Sequence, residues 1–272
     1  MKSGTKPLGG LKILTPGNAE QLFNFYSYNF YFIYYFPVDT LKKCHINDND
    51  CLKALVQNSV KVIAENGVSE LNIPPFDPFE IKNMNISIMN AVNMILIEGT
   101  VKGIKNCVIN KFETNFEKLH VYLDLTCDRI VIKSSYKVRS ESPAVKNLLG
   151  TDFHGEGNGK AKMDNLKMSL DFPIKVVKRD GATYLAGERK DMIYTVDIGE
   201  MVFAADKLYL GDKESSKAIV DILNQNWKGL LTSFGKEMYD PVIKVIHKFV
   251  LNFFKNVSTD FYIIEDLSQY VQ

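Results

Sequence analysis

Apolar residues recur every three or four positions in two parts of the chain, which predicts two amphipathic helices. The first part runs from Leu52 to Gly67, and glycine is typical of a helix C-terminus. The second part lies near the C-terminus, where apolar residues repeat at helical spacing from Trp227 to Phe253. Its apolar arc is wide, as expected of a helix that is enclosed on most sides.

Between these helices the apolar period changes to two, which predicts long antiparallel strands. One alternation runs from Leu119 to Cys127 and resumes with opposite parity from Ile130 to Val138. We interpret the change of parity at Asp128–Arg129 as a β-bulge that bends the strand. A second alternation runs from Leu166 to Ile174. Strands this long must curve around something. The pattern therefore predicts a single α+β domain, in which a strongly curved antiparallel sheet wraps the long C-terminal helix and a short helix precedes the sheet.

The composition is that of an ordinary globular protein, since 46% of the 272 residues are hydrophobic and 24% are charged. Lys and Arg number 33 against 32 Asp and Glu, which leaves a net charge of +1. Nucleic acid is not expected as a partner, because phosphate binding needs a concentrated basic face. No uncharged apolar run has the length of about 20 residues that a membrane-spanning helix needs.

The N-terminal residues 1–36 are treated apart from the domain at 37–272. Residues 22–36 are crowded with Phe and Tyr, and the segment before them carries Lys2, Lys6 and Lys12 but no acid until Glu20. A basic flank followed by an apolar run is the layout of a secretory signal. The run contains Tyr and Asn, and no small-residue cleavage site follows it, so a mis-assigned start is the alternative. We predict a secreted, extracellular protein.

The segment CHINDNDC, residues 44–51, poses a choice between a metal site and a disulfide. Zinc needs four ligands, usually in two closely spaced pairs, and this segment offers three at best. Asp48 and Asp50 begin a calcium-loop pattern that the following residues do not complete. Cys44 and Cys51 are separated by turn-forming Asn and Asp residues, so the chain can return within bridging distance. We therefore predict a disulfide, which agrees with an oxidising compartment.

Other candidate chemistry is sparse. A hairpin centred near Thr114-Asn115 places Cys107 opposite roughly residue 124 and not 127. Two alternatives therefore stay open: Cys107 pairs with Cys127 across a bulge, or both remain free thiols. The glycines at 155, 157 and 159 fit neither dinucleotide-binding nor P-loop spacing, and we interpret FHGEGNGK as a turn between strands. The four histidines are scattered, and no G-x-S-x-G motif is present. Neither an enzyme, a metal nor a cofactor is predicted.

Five segments occur in the order found in the takeout and haemolymph juvenile-hormone-binding (JHBP) family of insect carriers, which this chain resembles over roughly residues 37 to 268. They are LKKCHINDNDCLKAL, GVSELNIPPFDPF, VKGIKNCVI, FHGEGNGKAKM and LGDKESSKAIVDILNQNWKGL. The resemblance implies a long helix wrapped by a curved sheet, an elongated apolar tunnel that carries a small hydrophobic ligand, and a pair formed by Cys44 and Cys51. Family members often have proline near position 127, which leaves the partner of Cys127 open.

The expected ligand is a juvenile hormone, another terpenoid, a fatty acid or a quinone. Apolar sites are lined by hydrophobic side chains with a few polar groups. The predicted wall residues are those on the inferred inward faces, namely Tyr136, Phe153, Met163, Met168, Phe234, Ile246 and Phe249. Tyr136 is the predicted hydrogen-bond donor to an oxygen-bearing ligand. Asn85 begins a glycosylation sequon, as does Asn256. A monomer is expected. The alternative function is a lipid-transfer or receptor-partner protein that keeps its aromatic N-terminal segment and contacts a membrane.

Overall fold

The computed structural model describes residues 41–71, 73–140, 142–187 and 192–272, and the predicted leader at 1–36 lies outside them. Within this part, the elements are α1 (Asn49–Asn66), β1 (Phe79–Ile88), β2 (Val92–Lys102), β3 (Val108–Asn115), β4 (His120–Ser140), α2 (Pro143–Leu149), β5 (Phe153–Arg179), β6 (Ala182–Gly187), β7 (Ile193–Ala205), β8 (Leu208–Leu210), β9 (Lys213–Glu214) and α3 (Ser216–Asn256). The predicted α+β fold class is confirmed: a long C-terminal helix and a short N-terminal helix accompany one large antiparallel sheet, which is not closed.

Both predicted helices are present, and both begin earlier than their apolar stripes. Helix α1 begins at Asn49 because the Asp48 carboxylate accepts a hydrogen bond from the Cys51 backbone N–H at 3.0 Å and so caps its first turn. Helix α3 spans 41 residues and begins at Ser216, eleven residues before Trp227. The buried Ser216 hydroxyl accepts from the Leu208 backbone N–H at 2.8 Å, which ties the start of the helix to β8.

A disulfide joins Cys44 to Cys51 and fastens the segment ahead of α1 to its first turn. The same segment pairs with the C-terminal tail. The Cys44 N–H donates to the Tyr262 carbonyl at 2.9 Å, and the Ile264 N–H donates to the Cys44 carbonyl at 3.0 Å. Cys44 and Ile263 are both buried in the apolar core. The two ends of the described domain are therefore held together beside α1.

The pairing of β4 with β5 is the centre of the sheet. The two strands run 21 and 27 residues and pair from His120 and Pro173 to Ser140 and Phe153. On the far side of β4 lie β2, which in turn pairs with β1, and β3. Strand β5 also pairs with β6, β7 and β8. A straight strand of the 27 residues of β5 would reach roughly 90 Å at about 3.3 Å per residue.

The predicted change of parity in β4 is present, but its cause differs from the predicted bulge. Cys127 pairs with Leu166 and Arg129 pairs with Asp164, so the register is the same on both sides and no residue is inserted. Asp128 instead belongs to a rung that is left unpaired in the β-ladder. Strands β5 and β7 each have an unpaired residue at the same level, because Leu166 pairs with Ile198 and Asp164 with Glu200.

This unpaired rung consists of Asp128, Asn165 and Gly199. Asn165 has a φ of 53°, a left-handed conformation that asparagine tolerates better than most residues. A Cβ on Gly199 would lie 2.9 Å from the Cβ of Asn165, so only glycine fits beside it. One irregular rung therefore reverses side-chain parity in three strands together.

The reversal keeps the apolar face of the sheet on one side. Before the rung, Cys127, Leu166 and Ile198 face inward. After it, the inward-facing residues are Ile130, Met163 and Met201, and all six belong to one buried cluster. Strict alternation would have turned the next paired rung, which contains Arg129, Asp164 and Glu200, into the core. Instead, the Arg129 Nε atom donates to the Asp164 carboxylate at 2.6 Å on the outer face.

The hairpin between β3 and β4 brings the remaining two cysteines together. Its turn is formed by residues 116–119, later than the predicted centre at 114–115, because β3 continues to Asn115. The Asn115 side chain accepts from the Lys118 N–H at 2.8 Å and stabilises the turn. The register then shifts by one residue between Ile109 and Lys111, as a bulge produces, so Val108 pairs with Thr126. A disulfide joins Cys107 to Cys127 one step beyond, which confirms the alternative of pairing across a bulge.

Helix α1 covers the outer edge of β3. The side-chain amide of Gln57 accepts from the Ile109 N–H at 2.7 Å and donates to the Cys107 carbonyl at 3.0 Å, as the backbone of a neighbouring strand would. The hydroxyl of Thr114 donates to the Ile46 carbonyl at 2.8 Å. An exposed sheet edge is prone to pair with other chains, and this packing occupies it.

The segment FHGEGNGK is a strand and not the predicted turn. It forms the first residues of β5, which pairs there with β4 and β8. Gly155 and Gly157 face the crossing segment 206–208: a Cβ on Gly155 would lie 2.7 Å from the Lys207 carbonyl oxygen, and one on Gly157 would lie 2.1 Å from the Asp206 carboxylate. Close approach of two chain segments, rather than turning, is what these glycines allow.

Three buried apolar clusters lie along α3 in the order of its residues. The start cluster contains Tyr136, Val138 and Leu208, and packs against Ile219 and Val220 of α3. The middle cluster is the one around the unpaired rung, and α3 contacts it with Trp227, Leu231 and Tyr239. The end cluster contains the C-terminal tail and parts of α1, β4 and β5, and α3 contacts it from Tyr239 to Phe254.

We expect Gln57→Ala to destabilise the domain, because it leaves the Ile109 N–H and the Cys107 carbonyl without their partner. Half-buried backbone groups that lose a hydrogen bond cost about 1–3 kcal/mol. Urea unfolding should show this loss in the free energy of unfolding. Gln225→Ala, which removes an exposed glutamine from α3, is the matched control. Equal stability of the two variants would contradict the role assigned to Gln57.

We expect Asp164→Asn to lower the melting temperature at pH 7. Hydrogen bonds from Arg129 and Lys162 lower the pKa of the Asp164 carboxyl to about 2. A pKa that is lower in the folded state stabilises that state above the unfolded pKa, and the stabilisation is lost as pH falls toward 2. The difference between variant and wild type should therefore shrink between pH 4 and pH 2. Asp212→Asn, in an exposed turn, should show no such convergence.

Candidate functional site

A cleft of about 730 Å³ opens between α3 and the start of β7. This volume lies within the range of roughly 300–1,000 Å³ that small-molecule sites occupy. The cleft is open to solvent and is not an enclosed tunnel. Its lining residues are Met192, Ile193, Tyr194, Val196, Leu231, Gly235, Lys236, Tyr239 and Asp240. Most of them are apolar or aromatic, and they join the edge of the middle cluster to that of the end cluster.

The polar groups of the cleft are few. The Tyr194 hydroxyl donates to the Asp240 carboxylate at 2.6 Å, which links β7 to α3 at one side of the opening. Tyr239 is half-buried, and burial together with the nearby Asp197 carboxylate raises its pKa to about 12. Tyr239 therefore remains a neutral phenol at physiological pH. The exposed side chain of Lys236 stands at the rim.

Gly235 makes room for the aromatic ring of Tyr239 one turn later on α3. A Cβ on Gly235 would lie 2.9 Å from the Cε2 atom of that ring. Glycine in a helix interior destabilises the helix by about 1 kcal/mol relative to alanine. At the buried position 235 of α3, glycine allows the Tyr239 ring to pack closely against the helix. The ring lies back against the helix and contributes to the cleft wall.

A second cleft of about 480 Å³ lies at the other end of the sheet, beside α2. Arg139, Lys146, Asp152 and His154 line it together with Phe153, and an ion pair of 3.3 Å joins Lys146 to Asp152. The cleft beside β7 is the larger of the two and, unlike this one, adjoins two of the apolar clusters.

The structure distributes the seven predicted wall residues along α3 and does not gather them around one cavity. Tyr136 and Phe153 belong to the start cluster and Met163 to the middle cluster. Met168, Ile246 and Phe249 belong to the end cluster. Phe234 is half-buried on α3. Phe153 lines the smaller cleft, and none of the seven lines the larger one.

Tyr136 already has a hydrogen-bond partner within the protein. Its hydroxyl donates to the Asp206 carbonyl at 2.5 Å, and its ring faces Gly159 across the β4–β5 pair. Burial, with help from the Asp206 and Glu214 carboxylates, raises its pKa to about 12. The hydroxyl therefore ties β4 to the segment before β8, and its role as donor to a ligand stays a prediction.

Both glycosylation sequons lie on described residues. Asn85 is exposed on β1, at the edge of the sheet, where it pairs with Ile95 of β2. Asn256 is exposed at the last residue of α3, but its side-chain amide donates to the Asn252 carbonyl at 2.7 Å, and Ser258 of the same sequon is buried. Accessibility therefore favours Asn85.

Part of the lining of the larger cleft can be recognised from the sequence. Tyr194, Val196 and Ile198 alternate with polar residues in the same way as the apolar residues of β4, and this alternation identifies the inward face of β7. Leu231 belongs to the predicted stripe of the long helix. Tyr239 and Gly235 do not stand out in the sequence, because their roles depend on how the helix packs against β7.

Among the residues that the structure describes, no group of three or more His, Cys, Asp or Glu side chains could hold a metal ion. In the same part of the chain, no helix combines the length and the apolar character needed to cross a membrane.

A long helix packed on an open antiparallel sheet is a fold with known relatives. Takeout 1 of Epiphyas postvittana has this fold, with a TM-score of 0.70 at 21% sequence identity, over 82% of this chain and all of that structure. The circadian clock-controlled protein daywake is 22% identical in Drosophila yakuba and 23% identical in Drosophila melanogaster, over 81% of this chain and 85% of each relative.

The family itself follows from a match along the chain. The model of the family described as haemolymph juvenile hormone binding protein (JHBP) matches residues 28–264. The chain therefore belongs to the JHBP family, and the resemblance found in the sequence is confirmed.

We expect Tyr136→Phe to lower the free energy of unfolding by about 0.5–1.5 kcal/mol, because the half-buried hydrogen bond from the Tyr136 hydroxyl to the Asp206 carbonyl is lost. Binding of an apolar fluorescent probe should be unchanged. Tyr209→Phe is the control, since no described residue bonds to the Tyr209 hydroxyl and its ring stacks on His154 at 5.4 Å. A Tyr136→Phe variant that keeps its stability but loses probe affinity would restore the predicted ligand role.

Proposed function

We propose that this protein is a secreted, non-enzymatic carrier that binds a small hydrophobic ligand between α3 and the inner face of the sheet. The ligand classes that fit are juvenile hormones, other terpenoids, fatty acids and quinones. The observation that carries the proposal is the cleft of about 730 Å³ between α3 and β7, whose wall is continuous with two apolar clusters. Membership of a family described by the binding of juvenile hormone supports the same ligand class.

The way α3 is packed also supports a ligand site. Only four residues of this helix are buried within the described chain, namely Ser216, Gly235, Ile243 and His247. The residues that contact the middle cluster, among them Trp227 and Leu231, are only partly buried. A helix that covers an apolar sheet without being sealed against it leaves apolar surface available. A ligand that occupies this surface removes it from water, which is the main driving force for apolar binding.

The energy available is sufficient for a carrier. Burial of an apolar chain contributes about 0.8 kcal/mol per methylene, so a chain of about 15 carbons gains about 12 kcal/mol. Association costs of about 4 kcal/mol, the low end of their range, leave about 8 kcal/mol, which corresponds to micromolar binding. A carrier holds its ligand without altering it, so this role requires no catalytic side chains.

We propose that the protein is secreted and resides in the extracellular compartment. All four cysteines form disulfides, which persist in oxidising compartments and are rare in the cytosol. The lipid-transfer and receptor-partner alternative depends on residues 22–36, which lie outside the described residues. No described contact favours it over the carrier.

We expect Val196→Trp to weaken the binding of an apolar fluorescent probe by about tenfold or more, because the larger side chain fills the cleft. Val196 lies on the inward face of β7 and lines the cleft. Displacement titrations with N-phenyl-1-naphthylamine measure the effect.

Val202→Trp is the matched control, because Val202 lies on the same strand and 38% of it is exposed. This variant should bind the probe as the wild type does. A wild-type protein that bound neither the probe nor any apolar molecule in native mass spectrometry would refute the carrier proposal. Equal loss of binding in both variants would place the ligand elsewhere.

A further inference from the structure

Four lysines stand on the outer face of the sheet, on the side of the unpaired rung that lies away from α1. They are Lys102 of β2, Lys133 of β4, and Lys160 and Lys162 of β5. The residue next to each of them along its strand packs against the middle cluster on the inner face, namely Val101, Ile132 or Ala161. Because successive side chains of a strand point to opposite faces, the four lysines point toward solvent. We call them the lysine patch.

Strand register brings these lysines together. Lys133 pairs directly with Lys160, and Val131, two residues earlier on β4, pairs with Lys102 on one side and with Lys162 on the other. Side chains directly opposite each other have Cβ atoms about 5 Å apart, and diagonal neighbours lie about 7–8 Å apart. Lys133 therefore has one lysine opposite it and two more on the diagonals. The linear sequence contains no such block of charge, because three separate segments contribute to the patch.

Nearby carboxylates compensate only part of this positive charge. Lys162 forms an ion pair with Asp164 at 2.7 Å. Among the described residues, the other three lysines of the patch have no ion-pair partner. The next lysine on β4 differs, since Lys137 forms an ion pair of 2.9 Å with Glu156 directly opposite. Like charges directly opposite each other destabilise a sheet, so the repulsion at Lys133 opposes folding, and an anion bound over the patch would relieve it.

The surroundings of the patch favour a polysaccharide over a membrane or a nucleic acid. The residues between the lysines have short side chains, namely Thr100, Val131, Val202 and Ala204. Binding in a membrane interface relies on bulky side chains such as Trp, Phe and Leu, and anionic lipid is concentrated in the cytoplasmic leaflet, whereas the compartment proposed for this protein is extracellular. At these described positions no aromatic side chain is present to stack on the bases of a nucleic acid.

We propose that the lysine patch is a docking surface for a sulfated polysaccharide of the extracellular space. Clustered lysines bind such a chain through its charge, and the bond weakens as salt rises. The patch is on the opposite face of the sheet from α3 and the cleft, so the protein can hold a polysaccharide and an apolar ligand at the same time. This role goes beyond carriage, because it retains the protein at a cell surface or in an extracellular matrix.

The test measures binding of fluorescein-labelled heparin by fluorescence anisotropy at neutral pH over a series of NaCl concentrations. The triple variant Lys102→Gln, Lys133→Gln and Lys160→Gln should bind heparin about tenfold or more weakly at low salt. The slope of log K against log[NaCl] should fall by about two to three, roughly one for each lost contact. The affinity of this variant for N-phenyl-1-naphthylamine should be unchanged, because the cleft is on the other face.

The matched control is the triple variant Lys43→Gln, Lys118→Gln and Lys248→Gln, which removes three exposed lysines outside the patch and changes the net charge equally. It should bind heparin nearly as the wild type does. The melting temperature of the patch variant at low salt should equal or exceed that of the wild type, because the variant lacks the repulsion between the lysines.

Each other outcome overturns a stated part of the inference. Equal weakening in the two triple variants would show that net charge and not the patch governs binding. A lower melting temperature of the patch variant would show that its lysines stabilise the fold. Tighter binding to phosphatidylserine vesicles or to oligothymidylate than to heparin would assign the patch to a membrane or a nucleic acid. A wild-type protein that binds N-phenyl-1-naphthylamine but no heparin would refute the docking surface and leave the carrier function intact.

Discussion

The structure depends on the ladder between β4 and β5. This pairing extends over the whole of β4, and every other strand except β1 and β9 pairs directly with one of these two strands. A ladder of such length has to present one apolar face to a single helix along its course. Strict alternation cannot do so here, since the sequence carries Arg129 and Asp164 where the inward positions would fall. The unpaired rung resolves the conflict by reversing parity in three strands at one level, with Asn165 in a left-handed conformation and Gly199 beside it.

The same geometry explains why α3 is covered only in part. The three apolar clusters follow its length, so the helix contacts the sheet at many points, yet few of its residues are buried. Tyr239 contacts two of the clusters at once. The cleft opens where β7 meets the helix, at the point where the inward residues of one edge strand are not covered by another element. In this fold the ligand site is therefore a consequence of incomplete coverage and not a separate addition to the core.

Periodicity was sufficient to predict the elements and their inward faces. The alternation in β4 located the change of parity at Asp128–Arg129 correctly, although the mechanism was wrong, because a bulge and an unpaired rung leave the same pattern in a single strand. Only the partner strands show that no residue is inserted. The glycines at 155, 157 and 159 were misread for a similar reason: glycine marks turns and close approaches alike, and the approach of segment 206–208 is not visible in the local sequence.

The candidate site was the least predictable part. An inward face can be recognised from sequence, but whether an inward residue packs against its neighbours or lines open space depends on the distance between elements. Met163 and Met168 were predicted as cavity walls and are packed within clusters. Tyr194 and Val196, on an equally clear inward face, line the cleft. The pairing of Cys107 with Cys127 was left open because the partner of Cys107 depends both on the position of the hairpin turn and on the register shift between Ile109 and Lys111.

The positions of the two covalent cross-links give the domain unequal ends. Cys44–Cys51 and Cys107–Cys127 both lie on the side of the irregular rung that contains α1, whereas the described chain beyond the rung, toward Ser140 and Phe153, has hydrogen bonds and side-chain packing but no covalent link. Local opening of a protein is drawn from its least constrained regions. The half of the sheet beside α1 is consequently cross-linked, whereas the other half can open locally without breaking a covalent bond.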